Sequence, residues 1–205
     1  MTGRFIALEG GEGVGKSTQA RALAEALRGR GLDVVETREP GGSPGAEAIR
    51  ALLLDGPDDG WSAEAEALLF AAARTDHVDK VIRPAILAGR WVLSDRFVDS
   101  SLAYQGIAGR LGLEAVRYIN GFGIGGWFPD RTLVLVTDEG AERAKARDGE
   151  SSDRIGRRPA EYHDAVEAGF RTIATDEPDR VRLVDASGTP EQVTARLIDA
   201  LGDLL

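Results

Sequence analysis

Cysteine is absent from the 205 residues. Neither disulfides nor thiolate metal sites are therefore available, and a reducing compartment suits the chain. No apolar run approaches the length that spans a bilayer, so no membrane partner is expected. An apolar strand is expected within a few residues of Met1, so no secretory leader is expected. Together these absences lead to the expectation of a cytoplasmic protein. Positive charge is in deficit: 25 Lys and Arg against 34 Asp and Glu leave a formal net charge of −9. That is the wrong sign for a general nucleic-acid surface, although local arginines and backbone amides can still bind small anions. Lysine is scarce beside arginine and Ala and Gly are abundant, which reads as genomic bias. The length suits one well-buried domain, taken as residues 1–205.

What is present is most informative near the start. Gly10-Gly11-Glu12-Gly13-Val14-Gly15-Lys16-Ser17 follows the apolar run Phe5-Ile6-Ala7-Leu8 and precedes a helix-forming stretch from Thr18 to Arg30. This is G-x-x-x-x-G-K-[ST] in the strand–loop–helix setting that the motif needs. Glycines let the backbone curl so that several N–H groups point at phosphate oxygens, helped by the positive end of the following helix. Lys16 can reach the β- and γ-phosphates, and the Ser17 hydroxyl can ligate Mg²⁺. The segment predicts binding of a nucleoside triphosphate.

Strand-like and helix-like segments alternate along the chain. Strands are expected at 4–8, 33–37, 91–94, 132–136 and 181–184, and helices at 16–29, 43–54, 62–88, 98–120, 138–148, 158–176 and 190–204. The strands read as near-continuous apolar runs, as parallel strands covered on both faces do. The pattern predicts an α/β P-loop NTPase fold, a five-stranded parallel sheet with helices on both faces and ligands above the carboxyl ends of its strands. Thr189-Pro190-Glu191-Gln192 carries a capping residue, Pro at the first helical position and Gln at the third. Ser62 is expected to cap the long middle helix, with Glu64 and Glu66 as first-turn acids. Asp148 to Arg154 is polar, glycine-containing and flanked by arginines, which suits a short arginine-containing lid at about 143–157.

The second strand ends Thr37-Arg38-Glu39-Pro40-Gly41-Gly42-Ser43 and the third ends Ser94-Asp95-Arg96-Phe97. An aspartate ending an apolar strand beside a phosphate loop is the usual Mg²⁺ partner. Arg38 and Arg96 flank a position suited to bidentate capture of a second phosphate group. Taken singly, Arg38–Glu39 and Asp95–Arg96 are each equally well read as surface ion pairs. On the middle helix, Phe70 and Arg74 are four apart and share a face. An aromatic plane beside a guanidinium suits stacking on a base and donation to its carbonyl. Ser101 and Gln105 are likewise one turn apart, and an amide can read both a donor and an acceptor. His77 is read as a hydrogen-bonded packing residue without a proton-transfer role. The guanine-reading N-K-x-D segment of GTPase switches is absent. A kinase instead needs an acceptor pocket, a second phosphate site and a lid that excludes water, and the sequence offers candidates for all three.

The phosphate loop with Glu9-Gly10 and Glu12, Thr37 to Gly42, Leu69-Phe70-Ala71-Ala72-Ala73-Arg74, Asp95-Arg96-Phe97, Ser101 to Gly106 and Asp153-Arg154-Ile155 occur in this order. Over roughly Phe5 to Ser187 the chain resembles the thymidylate kinases. The resemblance implies phosphorylation of dTMP to dTDP by Mg-ATP, on the way to dTTP, by a homodimer packed through helices such as the middle one. It implies that Phe70 stacks on thymine, Arg74 contacts a thymine carbonyl, and Ser101 and Gln105 complete the base edge. Tyr104 would crowd the 2′ position and Glu12 contact the 3′-OH. Arg38 and Arg96 would hold the dTMP phosphate, with Pro40 beside them. ATP would lie on Gly10, Gly11, Glu12, Gly13, Val14, Gly15, Lys16, Ser17 and Thr18, with Mg²⁺ on Ser17 and Asp95. Because the loop itself carries no arginine, Arg143, Arg147 and Arg154 are the implied lid arginines, Arg147 being first choice for the migrating phosphoryl group. Lys16, Asp95, Arg96 and Arg147 form the expected catalytic set. The alternatives are a kinase for another pyrimidine nucleotide or nucleoside, or a P-loop switch protein that binds nucleotide without transferring it.

Overall fold

The computed structural model describes residues 3–55, 57–137 and 153–205. Five strands form one parallel sheet: β1 (Phe5–Gly10), β2 (Val34–Arg38), β3 (Trp91–Asp95), β4 (Arg131–Val136) and β5 (Val181–Asp185), in spatial order β2-β3-β1-β4-β5. The central strand β1 is buried at every residue, and its side chains alternate between two cores as strand geometry requires. Ile6 and Leu8 pack with Leu23 and Leu27 of helix α1 (Lys16–Gly29) and with Val193 and Leu197 of the final helix. Phe5 and Ala7 face the other way, onto Val78, Ile82, Phe97 and Ile124. The edge strands β2 and β5 carry exposed or half-exposed positions, so only the inner strands are the unbroken apolar runs expected of a doubly covered sheet.

Helix α2 (Pro44–Leu54) is capped by Ser43, and α3 (Ala63–His77) by Ser62. α3 continues through a π-helical turn, Val78–Ile82, into α4 (Arg83–Leu87), close to the single long element expected. The stretch expected as one helix over 98–120 is instead three pieces. α5 (Val98–Ser101) passes into a π-helical segment, Leu102–Ala108, and α6 (Leu113–Ile124) begins after a break. At the break Gly112 has φ +85° and its N–H donates to the Gly106 carbonyl at 2.9 Å. The segment closes just before this, where Arg110 takes a left-handed φ of +59°, and Gly112 is the N-cap of α6. After α7 (Ala160–Asp176), the final helix α8 (Pro190–Asp199) opens with the capping box expected from Thr189 and Gln192. The expected helix at 138–148 lies outside the described residues.

β1 is bonded to β3 with Leu8 opposite Asp95, and β2 to β3 with Arg38 opposite Asp95. The carboxyl ends of the three strands therefore finish level. The phosphate loop, Asp95, Arg96 and Arg38 share one edge by register alone.

Candidate active site

Above this edge lies a cleft of about 470 Å³, within the usual range for small-molecule sites. Its floor is the phosphate loop. Gly10 adopts φ +140°, and a Cβ there would stand 2.6 Å from the Leu135 carbonyl oxygen, so a side chain would push β4 away. α1 begins on a left-handed Gly15 with no side-chain cap. Its first N–H groups are thus left for an outside acceptor, the arrangement that binds phosphate at helix N-termini.

Lys16 is buried and its Nζ donates to the Gly11 carbonyl. Burial, reinforced by the charge of Arg96, pulls the ammonium down to about 8. Ser17 Oγ donates to Asp95 Oδ2 at 2.8 Å. A hydroxyl and a carboxylate this close are the hard oxygen pair on which a small divalent cation can sit between protein and phosphate.

Arg96 stands next to them in a left-handed conformation, φ +71°, unusual for a side chain without local polar recourse. The turn aims its guanidinium back over the loop. Nη2 donates to Glu12 Oε1 at 2.7 Å, and Nη1 donates to the Gly10 carbonyl and to Ser100 Oγ, each at 3.2 Å. The group also lies 5.1 Å from the Tyr104 ring centroid. The Tyr104 hydroxyl donates to the same Glu12 oxygen at 3.3 Å. Burial pushes the Glu12 carboxyl up, but Arg96 and Lys16 outweigh it and hold Glu12 below the usual range. Glu9, fully buried beneath, accepts from Phe97 N at 2.8 Å, Ser100 N at 3.0 Å and Ser100 Oγ at 2.6 Å. Burial raises its carboxyl to about 7 in spite of the nearby Arg96.

At the other end of the cleft are Phe70, Arg74, Ser101, Tyr104 and Gln105. Phe70 is half-buried and packs on the core with one face toward the cavity. Arg74, 2% exposed, is held from several sides. Nε donates to Glu39 Oε2 at 2.7 Å, Nη1 to Ser101 Oγ at 2.9 Å and to Asn120 Oδ1, and Nη2 to the Phe97 carbonyl at 3.0 Å. Of its five N–H groups, one on Nη2 finds no acceptor among the described residues. Glu39 also accepts from His77 Nδ1 at 2.9 Å, while Nε2 of that ring meets Thr37 Oγ1 at 2.6 Å. His77 is thus the packing residue expected, and it locks the carboxylate that aims Arg74.

Fifteen of the residues singled out from the sequence line this one cleft: Glu12, Gly13, Gly15, Lys16, Ser17, Thr18, Arg38, Pro40, Phe70, Arg74, Asp95, Arg96, Ser101, Tyr104 and Gln105. Gly10, Gly11 and Val14 shape the loop without lining it. Arg38 is largely exposed and pairs with Glu47 at 3.1 Å. Arg154, expected on ATP, does not line the cleft: it is 1% exposed, donating to Glu66 Oε2 at 2.5 Å and to the Leu53 carbonyl at 2.9 Å. A buried carboxylate requires a cation, and Arg154 supplies it. Arg143 and Arg147 lie outside the described residues. Sequence reasoning missed Glu39 and Ser100, which line the cleft, and Glu66, which stands behind its wall. Glu66 reads as a first-turn helix acid but is 2% exposed.

A family model described as thymidylate kinase matches residues 8–197. The chain is 63% identical to a thymidylate kinase of Rhizorhabdus wittichii over the whole of both chains. It is 46% identical to one from Caulobacter vibrioides over 97% of this chain and 96% of that protein. The crystal structure of thymidylate kinase from Ehrlichia chaffeensis superposes with a TM-score of 0.82 at 31% identity, covering 98% of this chain and all of the other. The chain therefore belongs to the thymidylate kinase family.

Proposed function

We propose that this protein transfers the γ-phosphoryl group of ATP to dTMP, giving dTDP. One observation carries the reading: a single cleft joins a phosphate loop with its Lys16, Ser17 and Asp95 to a base-sized end formed by Phe70, Arg74 and Gln105. Arg96 stands between the two halves. The triphosphate lies on the loop amides and Lys16. Mg²⁺ is held by Ser17 and Asp95, whose oxygens are 2.8 Å apart. Held there, the ion would supply positive charge against the charge that develops on the transferring phosphoryl group. The monophosphate lies with its phosphate on Arg96 and Arg38, its base on Phe70 and its carbonyl toward the free N–H of Arg74.

Little covalent chemistry is asked of the chain. The acceptor is a phosphate oxygen already ionised near neutral pH, so no strong general base is needed. The barrier lies in bringing two anions into line in a dry site. Arg96 meets this at the acceptor, because its fixed backbone and its bonds to Gly10 and Ser100 aim it before substrate arrives. Glu12 yields its share of Arg96 as the phosphate docks, and its oxygen then faces the sugar. In the segment at about 143–157, Arg147 neutralises the migrating phosphoryl group.

Coupled ADP release, measured with dTMP, dUMP, dCMP and thymidine as acceptors, tests the assignment. Release that depends on dTMP, is weaker with dUMP and is negligible with thymidine is expected. ADP release indifferent to every monophosphate would favour a nucleotide switch instead. The whole chain acts as one cytoplasmic kinase domain. Its homodimer forms through α3 and α6, where Leu68, Tyr118 (81% exposed) and Phe122 (90% exposed) offer apolar side chains to solvent. Sedimentation should give twice the chain mass, and Tyr118→Ser with Phe122→Ser should reduce it to one.

A further inference from the structure

Glu66 lies on the first turn of α3, behind the wall of the cleft rather than on it. Its Oε1 accepts from Gln105 Nε2 at 3.1 Å. Its Oε2 accepts from Arg154 Nη2 and Arg158 Nη2, each at 2.5 Å. All four side chains are fixed: Glu66, Gln105 and Arg154 are buried, and the Arg158 guanidinium stacks 4.5 Å from the Tyr162 ring centroid. A carboxylate paired with two guanidinium groups can only accept hydrogen bonds. Gln105 must therefore turn its NH₂ group toward Glu66. A flipped amide would set a carbonyl oxygen against a carboxylate oxygen at hydrogen-bond distance. Gln105 Oε1 accepts from none of the described residues, and the residue lines the cleft.

We propose that Glu66 is a specificity-determining positioning residue: it fixes the Gln105 amide so that the cleft meets the pyrimidine with an acceptor. An acceptor there requires a base that donates at N3. Thymine and uracil carry N3–H, whereas cytosine presents a bare ring nitrogen whose lone pair opposes the Gln105 carbonyl. Arg74 supplies a donor on the neighbouring position of the same edge. The two together read a donor and an acceptor in fixed order, and a site with buried polar groups rejects a base that leaves them unpaired. The π-helical segment Leu102–Ala108 contributes by presenting Gln105 at the site while its carbonyl accepts from Leu111 N at 3.2 Å. Such segments recur at functional sites.

This inference rests on the proposed binding of dTMP in the cleft, and its test reads affinity rather than turnover so that the two can fail separately. Dissociation constants for dTMP and 5-methyl-dCMP, which share the methyl group and differ only along the N3–C4 edge, are measured by titration calorimetry. The wild-type chain should prefer dTMP strongly. In Glu66→Gln the partner can donate as well as accept, so the amide is free to turn and the preference should fall by about tenfold, the worth of one hydrogen bond. Glu66→Asp keeps the charge for Arg154 and Arg158 but withdraws the oxygen from Gln105, and carries the same expectation should Glu66→Gln fail to fold. Parallel weakening of both nucleotides, or an unchanged preference in a folded variant, would overturn the role. So would a wild-type chain that binds the two equally, and dTMP-dependent ADP release would survive either result.

Discussion

Glu39→Gln is the sharpest test of how the base end of the cleft is built. Glu39 is buried between Arg74 and His77, accepting at 2.7 and 2.9 Å. Glutamine keeps the shape and one acceptor but removes the charge opposite a guanidinium that is 2% exposed. Breaking a buried ion pair from one side typically costs about 3–5 kcal/mol. The retained acceptor and the other partners of Arg74 put this case near the lower figure, about 3 kcal/mol. For a chain of this length each kcal/mol shifts the melting temperature by about 2–4 °C, so a loss of about 6–12 °C is expected in a thermal melt. Affinity for dTMP should fall as well, because Arg74 loses the bond that aims it. Replacing both partners, Glu39→Met with Arg74→Met, removes the orphaned charge but strands the Asn120, Phe97 and His77 groups that these side chains satisfy, so stability should stay low and dTMP affinity with it. A drop in melting temperature below 2 °C in Glu39→Gln would refute the reasoning. So would recovery of dTMP affinity in the double variant.

Three further outcomes follow from the same electrostatics. Arg147→Ala should lower kcat far more than it raises KM for dTMP, since a single arginine on a transferring phosphoryl group is worth ~10³ or more in rate; an unchanged kcat would remove Arg147 from that role. Lys16 is held near 8 and phosphate binds its protonated form, so ATP affinity should decline as pH rises above 8, by up to tenfold per pH unit, and Lys16→Arg should flatten the profile measured by titration. Glu9 is raised from 4.5 to about 7, so the folded chain binds the extra proton between those values and this group's contribution to stability falls as pH rises through the window. The full displacement is worth roughly 3 kcal/mol. Glu9→Gln keeps acceptors for Phe97 N and Ser100 N, so its melting temperature should gain on the wild type from pH 5 to pH 8; a constant difference would show that Glu9 does not titrate there.

The parts of this fold that were legible in the sequence are those encoded locally. Phe5 to Leu8 followed by the phosphate loop, the box at Thr189 and Gln192, and the serine cap at position 62 each depend on residues close together in the sequence. The break in the element expected over 98–120 was less visible. Gly109 and Gly112 each cost only about 1 kcal/mol in a helix interior, and it is the left-handed turn at Arg110, a residue no glycine signal marks, that ends the segment. The strand ends carrying Arg38, Asp95 and Arg96 could be aligned in advance because parallel strands with short crossovers finish at one edge. The buried carboxylates could not. Glu66 is paired with arginines 88 and 92 positions away, and Glu39 with residues 35 and 38 positions away. On its own helix Glu66 satisfies the rule for a first-turn acid, so no local pattern marks it as buried. A buried charge is tolerable only when its counter-charge arrives with it, and that counter-charge is set by packing between α3 and the residues that precede α7. The same dependence explains Arg154. An arginine beside a glycine-containing polar stretch reads as solvent-facing, but a desolvated Glu66 would be costly without it, so the cation is drawn inward.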